Sequence, residues 1–197
     1  MDVRRQVLDA AIGICASAGP DAVSMRDVAR RSGVSHQAPY HHFGDRAGIF
    51  AAISEEGFGK LADAMDLALQ RGGSPARSCL EVYLHIARDH LGHFRVMFRS
   101  DICGTSTHEH TQAEAGRAYA ALEKMVELTL GRRADDREMT TWASMMWSLA
   151  HGFSALLIDG PLAAKLPSGL LVEQHIAEFV TLATEMVENQ AKLLLLV

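Results

Sequence analysis

Aromatic residues make up only 6% of this 197-residue chain, and stretches that alternate β-branched with polar side chains are almost absent. A sheet-built core is therefore excluded as the main architecture. Cysteine is scarce too. Cys15, Cys79 and Cys103 are odd in number and irregularly spaced, which excludes a disulfide framework and a paired-cysteine zinc site. That usage fits a reducing, cytoplasmic setting. No apolar run approaches the roughly 18 to 20 residues that cross a bilayer, so no membrane partner is expected. Basic charge is not in excess, with 19 Lys and Arg against 24 Asp and Glu and a net charge of −5. A basic coat is excluded, and any contact with nucleic acid must come from a local patch.

What is present is helical. The apolar share is 48%, enough for a buried core in one or two domains, and Ala, Leu, Glu, Met and Arg dominate the composition. The start, MDVRRQVLDAAIGICASAG, mimics a signal peptide, but Asp9 interrupts its apolar stretch. Val3, Val7, Ala11, Ile14 and Ala18 recur there at helical spacing, so we read a helix. Of the five prolines, Pro20, Pro75, Pro161 and Pro167 fall where helical periodicity stops or starts. The pattern predicts helices over about residues 2–18, 24–31, 35–42, 45–70, 75–91, 94–99, 111–131, 136–158 and 170–190. This is an all-α fold of about nine helices, with a small N-terminal module of three helices and a larger C-terminal one, the boundary lying inside the fourth helix.

Residues 24–43, SMRDVARRSGVSHQAPYHHF, carry the functional signal. Ser24 with Asp27 three residues on is a capping-box pattern that opens a helix with Met25, Val28 and Ala29 on its apolar stripe. Gly33 sits where a tight turn needs positive φ, Val34 plugs the core, and Ser35 is placed to cap the next helix. That helix is too short and polar to be core. The spacing is that of a helix-turn-helix, whose second helix enters the major groove. His36, Gln37 and Ala38 fall at its early, base-facing positions: Gln can pair with an adenine edge and Ala can touch a thymine methyl. Ser24, Ser35, Tyr40, His41, His42 and Arg46 supply hydroxyls, imidazoles and a guanidinium for phosphate oxygens. Arg30 and Arg31 read as dipole partners of their own helix end. Residues 1–50 hold six Arg against five Asp, net +1, leaving −6 for the remainder.

Over residues 3–53 the chain resembles the TetR family of bacterial transcriptional repressors. The resemblance rests on AGPDAVSMRDVARRSGVSHQAPYHHFGDRAGIF, with its Gly-Val-Ser turn, its Tyr-x-x-Phe ending and a basic residue opening the next helix. Two positions depart from the pattern. Pro39 replaces an aliphatic residue and removes a helical hydrogen bond. Arg46 replaces the usual lysine, which keeps the charge and alters its geometry. The resemblance implies a DNA-binding domain over residues 1–50 and a ligand-binding and dimerisation domain over 51–197. Its expected partners are a palindromic double-stranded operator, a second copy of the chain and a small apolar or aromatic effector that releases the DNA.

Beyond residue 74 there is no phosphate loop. HEHTQ has Gln112 where a metalloprotease helix needs its second histidine, and GFSAL is not a nucleophile elbow, so no catalytic residue, no cofactor and no enzymatic activity are expected. The family's effector cavity draws attention to the soft and aromatic residues Tyr83, Phe94, Met97, Phe98, Tyr119, Trp142, Met145, Met146, Trp147 and His151. Trp147, His151 and Gly152 also resemble a Trp-x-x-x-His-Gly signature found in one subgroup of family C-terminal domains. The last two helices are apolar on two faces each. Pairing with their symmetry mates would cover them, which puts Leu157, Ile176, Phe179, Val180, Ala183 and Val187 in a dimer interface. Two alternatives stay open. One is a metal or redox sensor of the same fold, since His85, Asp89 and His93 fall at i, i+4 and i+8 and Cys103, His108 and His110 follow, although no metal site is expected. The other is a helical small-molecule-binding protein or enzyme that keeps the corner as scaffold.

Overall fold

The computed structural model describes residues 2–103, 108–158, 160–167 and 171–195, apart from the side chains of Ser100, Cys103 and Ala163. Among the described residues the regular structure is entirely helical: nine helices of six residues or more and one single-turn segment. They are α1 (Val3–Ala18), α2 (Met25–Ser32), α3 (Ala38–Phe43), α4 (Arg46–Arg71), α5 (Pro75–Asp89), α6 (Leu91–Met97), the single turn α7 (Ser100–Cys103), α8 (Glu109–Leu130), α9 (Asp136–Ile158) and α10 (Val172–Leu194). Short 3₁₀ turns at Pro20–Ala22 and Ala163–Lys165 complete the order.

By packing, Met1–Ala62 with Asp89–Arg117 form one compact unit, and Asp63–Arg88 with Ala118–Val197 form another. The described residues among 51–62 and 89–117 thus pack with the N-terminal helices. Helices α4 and α8 each contribute to both units.

In the first unit, α1 buries Val7, Leu8, Ala11, Ile14 and Cys15, one helical face at i, i+1, i+4, i+7 and i+8. Asp2 caps it by accepting the Arg4 N–H at 2.9 Å. Met25 and Val28 of α2 and Ile49, Phe50 and Ile53 of α4 close the same core, with Val34 and Phe43 packed at its edge. Helix α6 crosses α1 so closely that a Cβ on Gly92 would stand 2.4 Å from the Ile12 carbonyl oxygen. Arg95 of α6 then donates to the last carbonyls of α1, Ala16 at 2.8 Å and Cys15 at 3.3 Å.

The second unit buries Cys79, Leu80, Tyr83 and Leu84 of α5, Leu122, Met125 and Val126 of α8, Trp142, Met146, Ala150 and Phe153 of α9, and Val180, Ala183 and Val187 of α10. Ser74 caps α5 as its position before Pro75 predicts, accepting the Arg77 N–H at 3.1 Å. Phe153 and Phe179 join α9 to α10 by face-to-face stacking, 3.9 Å between centroids.

Candidate nucleic-acid interface and effector-domain residues

The helical corner is built by its capping chemistry. The Ser24 hydroxyl accepts the Asp27 N–H at 3.1 Å and donates to the Asp27 carboxylate at 2.8 Å. Its hydrogen-bonding capacity is thus largely committed to opening α2. At the other end Gly33 takes φ 68° and ψ 25° in the left-handed region. Its N–H reaches the Arg30 carbonyl, and the Val34 N–H reaches that of Ala29 at 3.1 Å. This is a Schellman end, which fixes the direction in which the chain leaves α2.

The second helix of the corner differs from the sequence expectation. It runs from Ala38 to Phe43 with Gln37 at its N-cap, and Ser35 caps nothing. The cause is Pro39. Without an N–H it cannot bond the Ser35 carbonyl, so residues 35–38 close as a single turn, Ala38 N–H to Ser35 O at 3.0 Å. The first i to i−4 bond is His41 N–H to Gln37 O at 2.9 Å. Pro39 itself is buried in the first helical turn, where its ring is tolerated. Ser35, His36 and Gln37 therefore lie in a turn that leads into the helix. With Tyr40, His41 and His42 they are exposed, Tyr40 by 50%, while Ala38 is half-buried.

Arg46 is partly engaged within the chain. Its guanidinium donates to the Pro20 carbonyl at 2.9 Å, lies 3.8 Å from Asp21 and sits over the Phe50 ring. Its Nε is buried with no hydrogen-bond partner among the described residues. Asp45 caps α4 through the Gly48 N–H at 2.9 Å, and Arg4 of α1 lies over the Phe43 ring.

A second polar cluster in the first unit went unseen in the sequence, because its members are 37 and 51 residues apart. Glu56 of α4 accepts from Arg5 of α1 at 2.6 Å and from His93 of α6 at 3.2 Å. Burial raises the Glu56 carboxyl pKa, but the Arg5 hydrogen bond and charge, with His93 and Lys60, hold it below the usual carboxylate range. A carboxylate only accepts, so Nε2 of His93 carries the proton, and its buried Nδ1 has no partner among the described residues. Burial depresses the His93 pKa against the pull of Glu56.

The ten residues expected around an effector cavity divide between the two units. Phe94, Met97 and Phe98 belong to the first unit, where Phe98 stands edge-on to Phe58 and Phe94. Tyr119 and Met145 are surface residues, 38% and 36% exposed. Trp142 and Met146 are buried core of the second unit. Three of the ten are joined. Trp147 Nε1 donates to the Tyr83 hydroxyl at 3.2 Å, and that hydroxyl shares a hydrogen bond with His151 Nδ1 at 2.7 Å, one helical turn along α9 from Trp147. Burial depresses the His151 pKa and pushes that of the Tyr83 phenol far up, so both are neutral. An open recess of about 540 Å³ between α8 and α9 is charged instead of apolar, lined by Glu123, Lys124, Glu127, Arg133 and Asp136 among others.

Two further expectations change. Val180, Ala183 and Val187 are buried inside the single chain and cannot face a partner, whereas Leu157, Ile176 and Phe179 are half-buried. The faces of α10 invert the usual order of size. Val180, Ala183, Thr184, Val187 and Ala191 point inward, while Leu182, Met186 and Leu193 are 56 to 60% exposed. His85, Asp89 and His93 share no helical face, because the chain leaves the helix at His90 (φ −121°, ψ 46°) between α5 and α6. Among the described residues no group of three or more His, Cys, Asp or Glu is placed to hold a metal ion; the Cys103 side chain lies outside them.

Comparison with known proteins agrees with this geometry at both ends of the chain. The family profile described as "Bacterial regulatory proteins, tetR family" matches residues 7–53, and "Tetracyclin repressor-like, C-terminal domain" matches residues 76–179. The chain belongs to the TetR family. The HTH-type transcriptional repressor Rv3405c of Mycobacterium tuberculosis is 35% identical over 92 residues, 42% of this chain and 49% of that relative. The match thus spans about half the length of that protein. A solved structure of a protein from Rhodococcus sp. RHA1 superposes with TM-score 0.75 at 23% identity, covering 96% of this chain and 95% of the other. AibR, solved in complex with isovaleryl coenzyme A and operator DNA, gives TM-score 0.64 at 18% identity, covering 94% and 96%. At those identities the two structures establish a shared fold alone.

Proposed function

We propose that this protein is a homodimeric, cytoplasmic transcriptional repressor that binds a palindromic operator and releases it when a small apolar or aromatic molecule binds. The exposed turn and helix from Ser35 to His42, carried on a capped corner whose other face is core, are the observation that carries this reading. Gln37 and His36 are the base readers. Tyr40, His41, His42 and Ser35 contact the backbone, with Arg46 as a phosphate partner that shares its charge with Pro20 and Asp21. Ser24 contributes by holding α2 and Ala38 by touching a base methyl.

The second copy is supported by the large apolar side chains left in water on α10, Leu182, Met186 and Leu193, and by Met145 and Leu156 on α9. Covering them twofold makes a four-helix interface and sets two reading heads about one helical turn of DNA apart, roughly 34 to 36 Å. Release follows from linkage. An effector that prefers the conformer with the wrong head separation weakens DNA binding by its differential affinity, typically about 1 to 3 kcal/mol. AibR, crystallised with both an acyl coenzyme A and operator DNA, is a protein of this fold to which both ligands come. The linked Tyr83, Trp147 and His151 are the polar group we assign to orienting the effector.

Selection of bound sequences from a random DNA pool tests the reading. A repressor of this kind enriches an inverted repeat with half-sites one turn apart. Recovery of no shared sequence, or of a single half-site bound by one chain, contradicts it.

A further inference from the structure

We propose that operator binding by this protein takes up protons, the three exposed imidazoles of His36, His41 and His42 serving as the cations of the reading head. The inference rests on the DNA-binding reading above and adds its regulation.

Between Ser32 and Asp45 the chain has no lysine or arginine, although this is the segment that must approach a polyanion. Duplex DNA carries a negative charge per about 1.7 Å of axis, and phosphate contacts normally come from fixed cations. Here the outward side chains are Ser35, His36, Gln37, Tyr40, His41 and His42. The fixed cations on the elements packed against α3 are largely occupied. Arg46 of α4 is held by Pro20 and Asp21, Arg30 of α2 by Asp27 at 2.8 Å, Arg5 of α1 by Asp9 and Glu56, and Arg4 of α1 lies over Phe43. Arg26 and Arg31 of α2 are exposed.

Four carboxylates of the first two helices and the α4 cap are also partnered. Asp2 caps α1, Asp9 pairs with Arg5, Asp27 binds Ser24 and Arg30, and Asp45 caps α4. Phosphate is thus the anion left for the imidazoles. His41 and His42 stand 5.3 Å apart between ring centroids, close enough for one stretch of phosphate backbone to face both, and a nearby phosphate favours the charged form of an imidazole. Proton binding is therefore favoured in the complex over the free protein. The sign follows: affinity rises as pH falls through the range from about 8 to 5 in which imidazoles gain charge, and is lost above it. One imidazole favoured by one pH unit contributes about tenfold, and a dimer presents the head twice.

The test uses the intact protein and a duplex recovered from a random pool by selection at about pH 6. Affinity is measured at about pH 6 and about pH 8 at fixed salt, with circular dichroism at both. The expected result is binding at least about tenfold tighter at the lower pH, with a steeper salt dependence there. The variant carrying His36→Gln, His41→Gln and His42→Gln loses that response. His42→Arg, charged at every pH, binds more tightly than wild type at the higher pH and responds less. A wild-type response under about twofold, or a full response in the triple variant or in all three single Gln variants, overturns proton uptake while leaving DNA binding intact. Recovery of no duplex at either pH overturns the DNA-binding reading, and this inference with it.

Discussion

Gln37 and Arg46 stand a few residues apart and do different work. Gln37 is exposed, with its side chain making no cap bond, so replacing it by Ala is expected to relax base preference by about 1 to 3 kcal/mol without lowering stability. Arg46 ties α4 to the Pro20 turn, so Arg46→Ala is expected to weaken operator and random duplexes alike and to cost about 1 kcal/mol of stability. Parallel DNA titrations and thermal melts separate the two. Equal loss on operator and random DNA for Gln37→Ala rejects its base-reading role. The Glu56 cluster gives a pH signature. Both Glu56 and His93 have folded pKa values below their ordinary ones, so the unfolded chain binds protons first as pH falls. The His93 contribution is present above its unfolded value near 6.5 and is lost below it; that of Glu56 is lost further down, below the ordinary carboxylate value. Between about pH 7 and pH 5 the urea midpoint of the wild type is expected to fall more steeply than that of His93→Gln. Equal slopes contradict a His93 whose pKa is depressed by burial.

Among the elements, α6 is the piece most firmly seated on the DNA-reading end. Gly92 meets the α1 backbone at a distance no side chain can share, and the obstacle, a backbone carbonyl oxygen inside a helix, cannot swing away. Gly92→Ala is expected to destabilise the first unit by about 1 to 3 kcal/mol, read as a lowered melting temperature; an unchanged one contradicts the close crossing. The helices themselves were legible in the sequence, because Ala, Leu, Met and Glu at 3.6-residue spacing leave little else possible, and Ser24, Gly33, Asp45 and Ser74 mark ends chemically. The start of α3 was misplaced because Ser35 has a cap's chemistry, while the missing N–H of Pro39 decides where helical bonding begins. The face of His85, Asp89 and His93 is broken because the helix ends at Asp89, about two residues before the end that the periodicity predicts, with the turn falling at His90. Contacts between distant residues, such as Arg5 with Glu56 or Tyr83 with His151, have no local signal.

At the scale of the whole molecule, α10 separates three of the expected interface residues from the rest: the protomer buries Val180, Ala183 and Val187 and leaves larger side chains outside, because hydrophobicity alone does not distinguish a core-facing position from a partner-facing one. Leu182→Glu with Met186→Glu is therefore expected to yield a folded monomer by sedimentation, with operator affinity lost. Val187→Glu is expected to unfold the second unit, since it places a charge in the core. A dimer that survives the double substitution moves the interface elsewhere. The most direct measurement is the affinity of the unmodified protein for its selected duplex across a salt series. Phosphate-bound reading heads give a log–log slope of about −0.9 per phosphate neutralised, with two protomers on each duplex. A slope near zero, or one chain per duplex, contradicts a paired, groove-reading repressor.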